Sequence, residues 1–190
     1  MTADPVPLEA VQERGISEVL HFTTSRGLLG ILAKRFLLAR ELLHTDEYLE
    51  HILQLNSSKR YEDPKFWRYV NLSITTVNTR FFSISQRWHT GEDLYWAILH
   101  FDPEILTHPG VLFAPGNMGY AGVLPVEGMA GFSGIYADRV PSGHGKTTAR
   151  AAGRAANLPT DPQAEVLYPD RVDTTFLRKV TVVNDEFAAS

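Results

Sequence analysis

The sequence contains no cysteine. That excludes a disulfide scaffold, a thiolate metal site and a cysteine nucleophile. No apolar run approaches the roughly 18 residues that a membrane-spanning helix needs. There is no excess of positive charge either. The formal net charge is -4, so no global basic field draws in a nucleic acid, and such a contact has to come from a local patch. The first ten residues, MTADPVPLEA, carry acid and proline where a secretory signal would be basic and then apolar. A cytoplasmic protein is the expectation. No internal repeat or clear linker divides the chain. Its 190 residues are therefore expected to form one domain, 1–190, with a core of its own.

What is present reads as helices early and short strands later. SEVLHFTT (17–24) has the character of a strand. SRGLLGILAKRFLLA (25–39) places apolar residues at helical spacing, with Thr24 or Ser25 as cap. ELLHTDEYLEHILQL (41–55) reads as a second amphipathic helix, and NSSKRYEDPKF (56–66) as a polar loop. Strand-like segments follow at RYVNLSIT (68–75), LYWAILHFD (94–102), GVLFAP (110–115) and AGVLPV (121–126), separated by glycine, proline and asparagine. Residues 134–163 are long and rich in glycine, alanine and basic residues. AEVLYP (164–169) and FLRKVTVV (176–183) close the chain as strands. This order fits an α+β fold better than a regular βαβ alternation.

Several groups of residues could carry chemistry. His44, Glu47 and His51 would share one face of the second helix, but the spacing is not that of a zinc protease and no third histidine stands nearby, so a solvated face is the plainer reading. GHGKTT (143–148) resembles part of a phosphate loop, but Val140 stands where the first glycine belongs. Lys146, Arg150 and Arg154 are spaced by four. On a helix they would form a basic stripe, either solvated or set against a phosphate backbone. His21 and Thr23 stand at the end of a strand, where a histidine is either satisfied in the core or orients a ligand. Ser73 and Asn78 lie among apolar residues, where such side chains commonly satisfy local backbone. Gln163 and Glu165 are two apart at the mouth of a strand, so an amide and a carboxylate would face one cleft. The amide could read a substrate edge. The carboxylate could stabilise positive charge or take a proton.

Together, His21-Phe22-Thr23, the polar loop with Arg60, LSIT followed by Asn78 and two phenylalanines, and the long loop ending in Gln163-Ala164-Glu165 resemble the DarT family. Its members are bacterial toxins, NAD-dependent ADP-ribosyltransferases that modify single-stranded DNA. The likeness runs from about Ile16 to Val183 and departs from the family at Val77, where proline is frequent. It implies an ADP-ribosyltransferase-like split mixed β-sheet core with N-terminal helices. By the same resemblance Glu165 would stabilise the oxocarbenium-like charge on the ribose as the nicotinamide bond of NAD breaks, as in glycoside hydrolysis. Arg60 would hold the NAD phosphates. His21, Thr23, Ser73 and Asn78 would contact NAD. Gln163 would read the base, guanine before thymine, with Lys146, Arg150 and Arg154 on phosphates and Phe132 or Tyr136 stacking on a base. A monomer is the expectation, and the resemblance further implies an ADP-ribosylglycohydrolase antitoxin as partner. The same chemistry on RNA or protein, or a non-catalytic NAD- or nucleic-acid-binding domain, are the rival readings.

No metal and no covalent enzyme intermediate is required by this chemistry. Transfer assayed with and without EDTA should therefore proceed at one rate. Loss in EDTA with recovery on adding Zn²⁺ would return His44, Glu47 and His51 to the site.

Overall fold

A computed structural model describes residues 3–43, 64–90 and 93–183. The chain builds α1 (Leu8–Glu13), β1 (Val19–Thr24), α2 (Ser25–Lys34) and β2 (Phe36–Leu38), then β3 (Tyr69–Ile74), α3 (Thr79–Trp88), β4 (Trp96–Phe101), β5 (Leu112–Ala114) and β6 (Val126–Glu127). There follow α4 (Gly128–Gly134), β7 (Arg139–Pro141), β8 (Thr147–Ala149), β9 (Glu165–Pro169), β10 (Arg171–Asp173) and β11 (Leu177–Val183). The architecture is α+β. Seven strands form one sheet in the order β11-β4-β1-β3-β9-β5-β6, with two further two-stranded sheets, the long-range pair β10-β2 and the hairpin β7-β8. Every pairing among the described strands is antiparallel.

Alternation along β3 sets the two faces of the sheet. Val70, Leu72 and Ile74 are buried while Tyr69, Asn71 and Ser73 are only partly so, the period of two that one packed face demands. Register carries this face across the sheet: Ile74 pairs with Val19, Leu72 with Val166 and Val166 with Phe113. Val11 of α1, Leu28 and Ile31 of α2, and Phe132 and Ile135 complete one continuous core with them. The opposite parity of β3 carries polar residues, and it is the face that matters for chemistry.

The central junction is incomplete. β1 follows β4 from Val19–Phe101 to Thr24–Trp96, but it pairs with β3 only at Val19–Ile74 and Leu20–Ser73. Beyond Leu20 the strands part, so the sheet is split between β1 and β3. Phe22, on the β1 side of the split, packs against Phe81 and Phe82 of α3 with ring centroids 5.5 and 4.9 Å apart.

Several elements differ from the expectation. AGVLPV (121–126), read as a strand, is turn and irregular chain up to Pro125, and only Val126 enters the two-residue β6. The helix read as 25–39 ends at Lys34, where Arg35 takes a left-handed conformation with φ 62°. Phe36–Leu38 then pair with Arg171–Asp173, so a long-range strand partner overrides the local helical spacing. α3 has no counterpart in the sequence reading. Asn78 starts it, its Oδ1 accepting from the Phe81 amide at 3.0 Å. The aromatic and β-branched run around it has low helix propensity, and packing on Phe22 and Trp96 supplies the stability instead.

α4 lies against the backbone of β6. A Cβ on Gly131 would stand 1.9 Å from the Val126 carbonyl oxygen and 2.6 Å from its carbon. The closest atoms are Val126 backbone and the next is the packed Phe113 ring at 3.3 Å, which leaves no flexible group to yield. Gly131→Ala should therefore cost about 1–3 kcal/mol and lower the melting temperature by several degrees; a melting curve identical to the wild type would contradict this packing.

Candidate active site

Glu165 is the first residue of β9 and is 5% exposed. A carboxylate so far from water must find strong hydrogen-bond donors. Asn71 supplies one, its Nδ2 donating to Glu165 Oε2 at 2.5 Å. Leu72 pairs with Val166, so the next step of that register sets Ser73 opposite Glu165. Asn71, two residues from Ser73, then shares this face. Sequence reasoning missed Asn71, although it too is a polar residue in the same apolar strand that drew attention to Ser73.

The same asparagine reaches the other side of the split. Its backbone carbonyl oxygen lies 3.0 Å from Nδ1 of His21 on β1. A carbonyl only accepts, so Nδ1 carries the proton and Nε2 of the neutral ring is the acceptor. Burial holds the His21 pKa below its ordinary 6.5, which keeps the ring neutral near pH 7. His21, Asn71 and Glu165 thus form one chain of contacts across β1, β3 and β9, bridging the place where the sheet opens. Thr23 stands two residues on in β1, beneath the first turn of α2: a Cβ on Gly27 would fall 2.2 Å from the Thr23 hydroxyl. Thr24 caps that helix, accepting from the Gly27 amide at 3.3 Å.

The remaining expected site residues are placed differently. Asn78 is 4% exposed and caps α3, while its Nδ2 has no hydrogen-bond partner among the described residues. Gln163 sits in a turn before β9, with its amide donating to Asp161 Oδ1 at 2.8 Å. Strand alternation therefore does not decide where its side chain points. Lys146, Arg150 and Arg154 do not form a helical stripe, because residues 147–149 are strand β8 and a turn follows. Lys146 is exposed. The Arg150 guanidinium donates to the carbonyls of Leu158 at 2.9 Å, Ala155 at 2.8 Å and Arg154 at 3.5 Å, and to the Thr160 hydroxyl at 3.3 Å. Arg154 Nε donates to the Pro159 carbonyl. These two arginines hold their own loop together.

Phe132 is fully buried and Tyr136 is 6% exposed, so neither ring is placed to stack on a base. The Arg14 guanidinium lies 3.7 Å from the Tyr136 ring centroid. Arg60, His44, Glu47 and His51 lie outside the described residues. Among the described residues no cluster of three metal-ligating side chains exists, and no helix is long and apolar enough to cross a membrane.

The DarT family, described as "ssDNA thymidine ADP-ribosyltransferase", matches residues 20–190. No curated protein matches the chain. Among solved structures, "Thermus sp. 2.9 DarT in complex with ADP-ribosylated ssDNA" aligns with a TM-score of 0.58 at 14% identity, covering 98% of this chain and 87% of that one. The same Thermus protein in complex with NAD+ aligns at 0.53 and 14% identity, covering 90% and 83%. "Thermosipho africanus DarTG in complex with ADP-ribose" aligns at 0.50 and 14% identity, covering 91% of this chain and 46% of that one. These structural matches establish a shared fold.

Two outcomes follow from the His21–Asn71–Glu165 chain. Hydrogen bonds to a charged group are worth about 1.5–3 kcal/mol, so Asn71→Ala should slow turnover by about 10-fold to 100-fold. A rate unchanged in the variant would remove Asn71 from the site. His21 also gives a pH effect of defined sign. The unfolded ring takes a proton near 6.5 and the folded ring only below that. His21 therefore costs nothing above this value, and stability is lost as pH falls through it. Between about pH 7.5 and about pH 5.5 the melting temperature of His21→Gln should fall less than that of the wild type. Equal falls would mean that the ring titrates normally.

Proposed function

The chain belongs to the DarT family, and from that premise we propose that it transfers ADP-ribose from NAD to a base of single-stranded DNA at the split between β1 and β3. The buried Glu165 carboxylate, held by Asn71 beside His21, is the observation that carries the reading. When the bond between nicotinamide and ribose C1′ breaks, nicotinamide leaves with the bonding electrons and positive charge develops on the ribose. A carboxylate fixed beforehand stabilises that charge without reorganising. A ring nitrogen of the base then forms the new bond to C1′ and gives up its proton, for which Glu165 is the nearest base in this reading.

His21, neutral and with Nε2 accepting, suits a hydroxyl or amide hydrogen of the nicotinamide riboside, and Thr23 and Ser73 border the same opening. Asn78 holds α3 against Phe22, and its Nδ2 is a donor for the ligand. Arg60 is assigned to the NAD phosphates. Gln163 is assigned to the base and Lys146 to the DNA phosphates. Arg150 and Arg154 shape the loop that runs between Lys146 and Gln163. The family description names thymidine, which favours thymine over the guanine expected from the Gln-x-Glu pattern. Thymine presents one ring N–H between two carbonyls, and the Gln163 amide can match that edge.

The same reading makes residues 1–190 one domain, a monomer acting as a toxin in the cytoplasm, where NAD and single-stranded DNA meet. Its counterpart would be an ADP-ribosylglycohydrolase that removes the mark. A single strand is the suitable substrate because a duplex hides the reacting edge, and exposing it costs a few kcal/mol.

The test uses short DNA oligonucleotides that each carry one candidate base, and their RNA counterparts, incubated with NAD and read by mass. Transfer to thymine in DNA is expected; transfer to guanine alone would restore the first expectation, and transfer only to RNA would overturn the DNA assignment. Glu165→Gln keeps size and hydrogen bonding but removes the charge, and should lose roughly 10²–10³ in rate. A folded Glu165→Gln protein working at the wild-type rate would exclude Glu165 as the catalytic group.

A further inference from the structure

Asp161 is 4% exposed, yet nothing in the proposed chemistry uses it. Its two carboxylate oxygens serve different segments. Oδ1 accepts from the Gln163 amide at 2.8 Å, within the turn that leads to Glu165. Oδ2 accepts from the Thr148 hydroxyl at 2.9 Å, on β8 of the β7–β8 hairpin. The preceding residue anchors the turn from its other side: the Thr160 amide donates to Ile135 at 2.9 Å and its hydroxyl to Ala137 at 2.7 Å. A third segment closes on the same point. A Cβ on Gly116 would lie 3.1 Å from the Pro141 carbonyl oxygen and 3.9 Å from Asp161 Oδ2. Gly116 lies two residues after Ala114, which pairs with Glu165. The hairpin, the loop after β5 and the turn carrying Gln163 therefore meet at one buried carboxylate, four positions before the catalytic one.

We propose that Asp161 is a positioning residue that latches the Gln163 turn to the β7–β8 hairpin and so sets the acceptor half of the active site. The inference rests on the reading of Glu165 and Gln163 given above. The two halves then have separate supports. Asn71 and His21 hold the ribose end, across the split. Asp161 and Thr148 hold the lip over which the base enters. A carboxylate suits the position because both neighbours are donors, and it alone accepts from both without offering a proton. An asparagine would keep the bond to the Gln163 amide through Oδ1 and could donate to the Thr148 hydroxyl through Nδ2. An alanine keeps neither.

The test compares Asp161→Ala, Asp161→Asn and Thr148→Val with the wild type in three measurements. Calorimetry with carba-NAD+ reads the ribose half. Steady-state transfer to a thymine-containing oligonucleotide reads KM and kcat for the acceptor. Hydrogen exchange reads the Gln163 amide directly. Asp161→Ala should lose about tenfold or more in kcat/KM, mainly through the oligonucleotide KM. Its carba-NAD+ affinity should stay within about twofold of the wild type, and the Gln163 amide should exchange faster. Asp161→Asn should recover most of the loss, and Thr148→Val should fall between them. Unchanged exchange in Asp161→Ala, or an equal loss of carba-NAD+ affinity and transfer, would overturn the latch. If the wild type transferred to no oligonucleotide, the proposed function would fail instead, and the exchange measurement would still decide whether the latch exists.

Discussion

A carboxylate buried at the mouth of β9 has to be hydrogen-bonded, and the middle of the sheet is arranged around that requirement. Leaving such a charge unpaired costs more than a domain's net stability readily absorbs. The donor is an asparagine one strand away. Its own carbonyl is engaged by a histidine on the next strand, and the histidine ring is neutral because it is buried. Each group is held by the one before it. The split between β1 and β3 is where strand pairing stops and this chain of contacts, through the side chain and the backbone carbonyl of Asn71, takes over. Backbone groups not paired across the gap become available to a ligand there.

A second arrangement of the same kind surrounds the loop from Ala151 to Thr160. This segment lacks a regular ladder, so its carbonyls need donors from elsewhere. Arg150 presents a fixed fork of N–H groups and satisfies several at once, and Arg154 takes another. Two of the three cations that sequence spacing offered to DNA, Arg150 and Arg154, are used inside the protein, while Lys146 stays exposed. The loop is thereby tied to the arginines, and Thr160 and Asp161 at its end bond to Ala137 and to the Gln163 amide in the turn before Glu165.

Much of this was legible beforehand, for identifiable reasons. The strands beginning at Val19, Tyr69, Trp96, Leu112, Glu165 and Leu177 follow from apolar alternation or runs between turn residues. The α+β class followed from the order of helices and strands, and the expected site residues His21 and Glu165 fall inside two of those strands. What stayed hidden depended on partners distant in sequence. Leu37 is strand rather than helix because Val172 pairs with it. α3 forms because Phe22 and Trp96 receive its aromatic face. Lys146, Arg150 and Arg154 show helical spacing, yet their segment turns into a hairpin arm with β7. Asn71 reads locally as one polar residue in an alternating strand. Only the pairing of β3 with β9 brings its amide to the carboxylate.

The central claim is that the carboxylate at the split receives the ribose of NAD. A crystal structure of the protein with carba-NAD+ tests this most directly, because the analogue keeps the shape of NAD and resists cleavage. The account predicts the nicotinamide-side sugar within hydrogen-bonding distance of Glu165, with His21 beside the same nucleoside and Asn71 still bonded to the carboxylate. A dinucleotide bound away from the β1–β3 split, with Glu165 touching only protein, would contradict it.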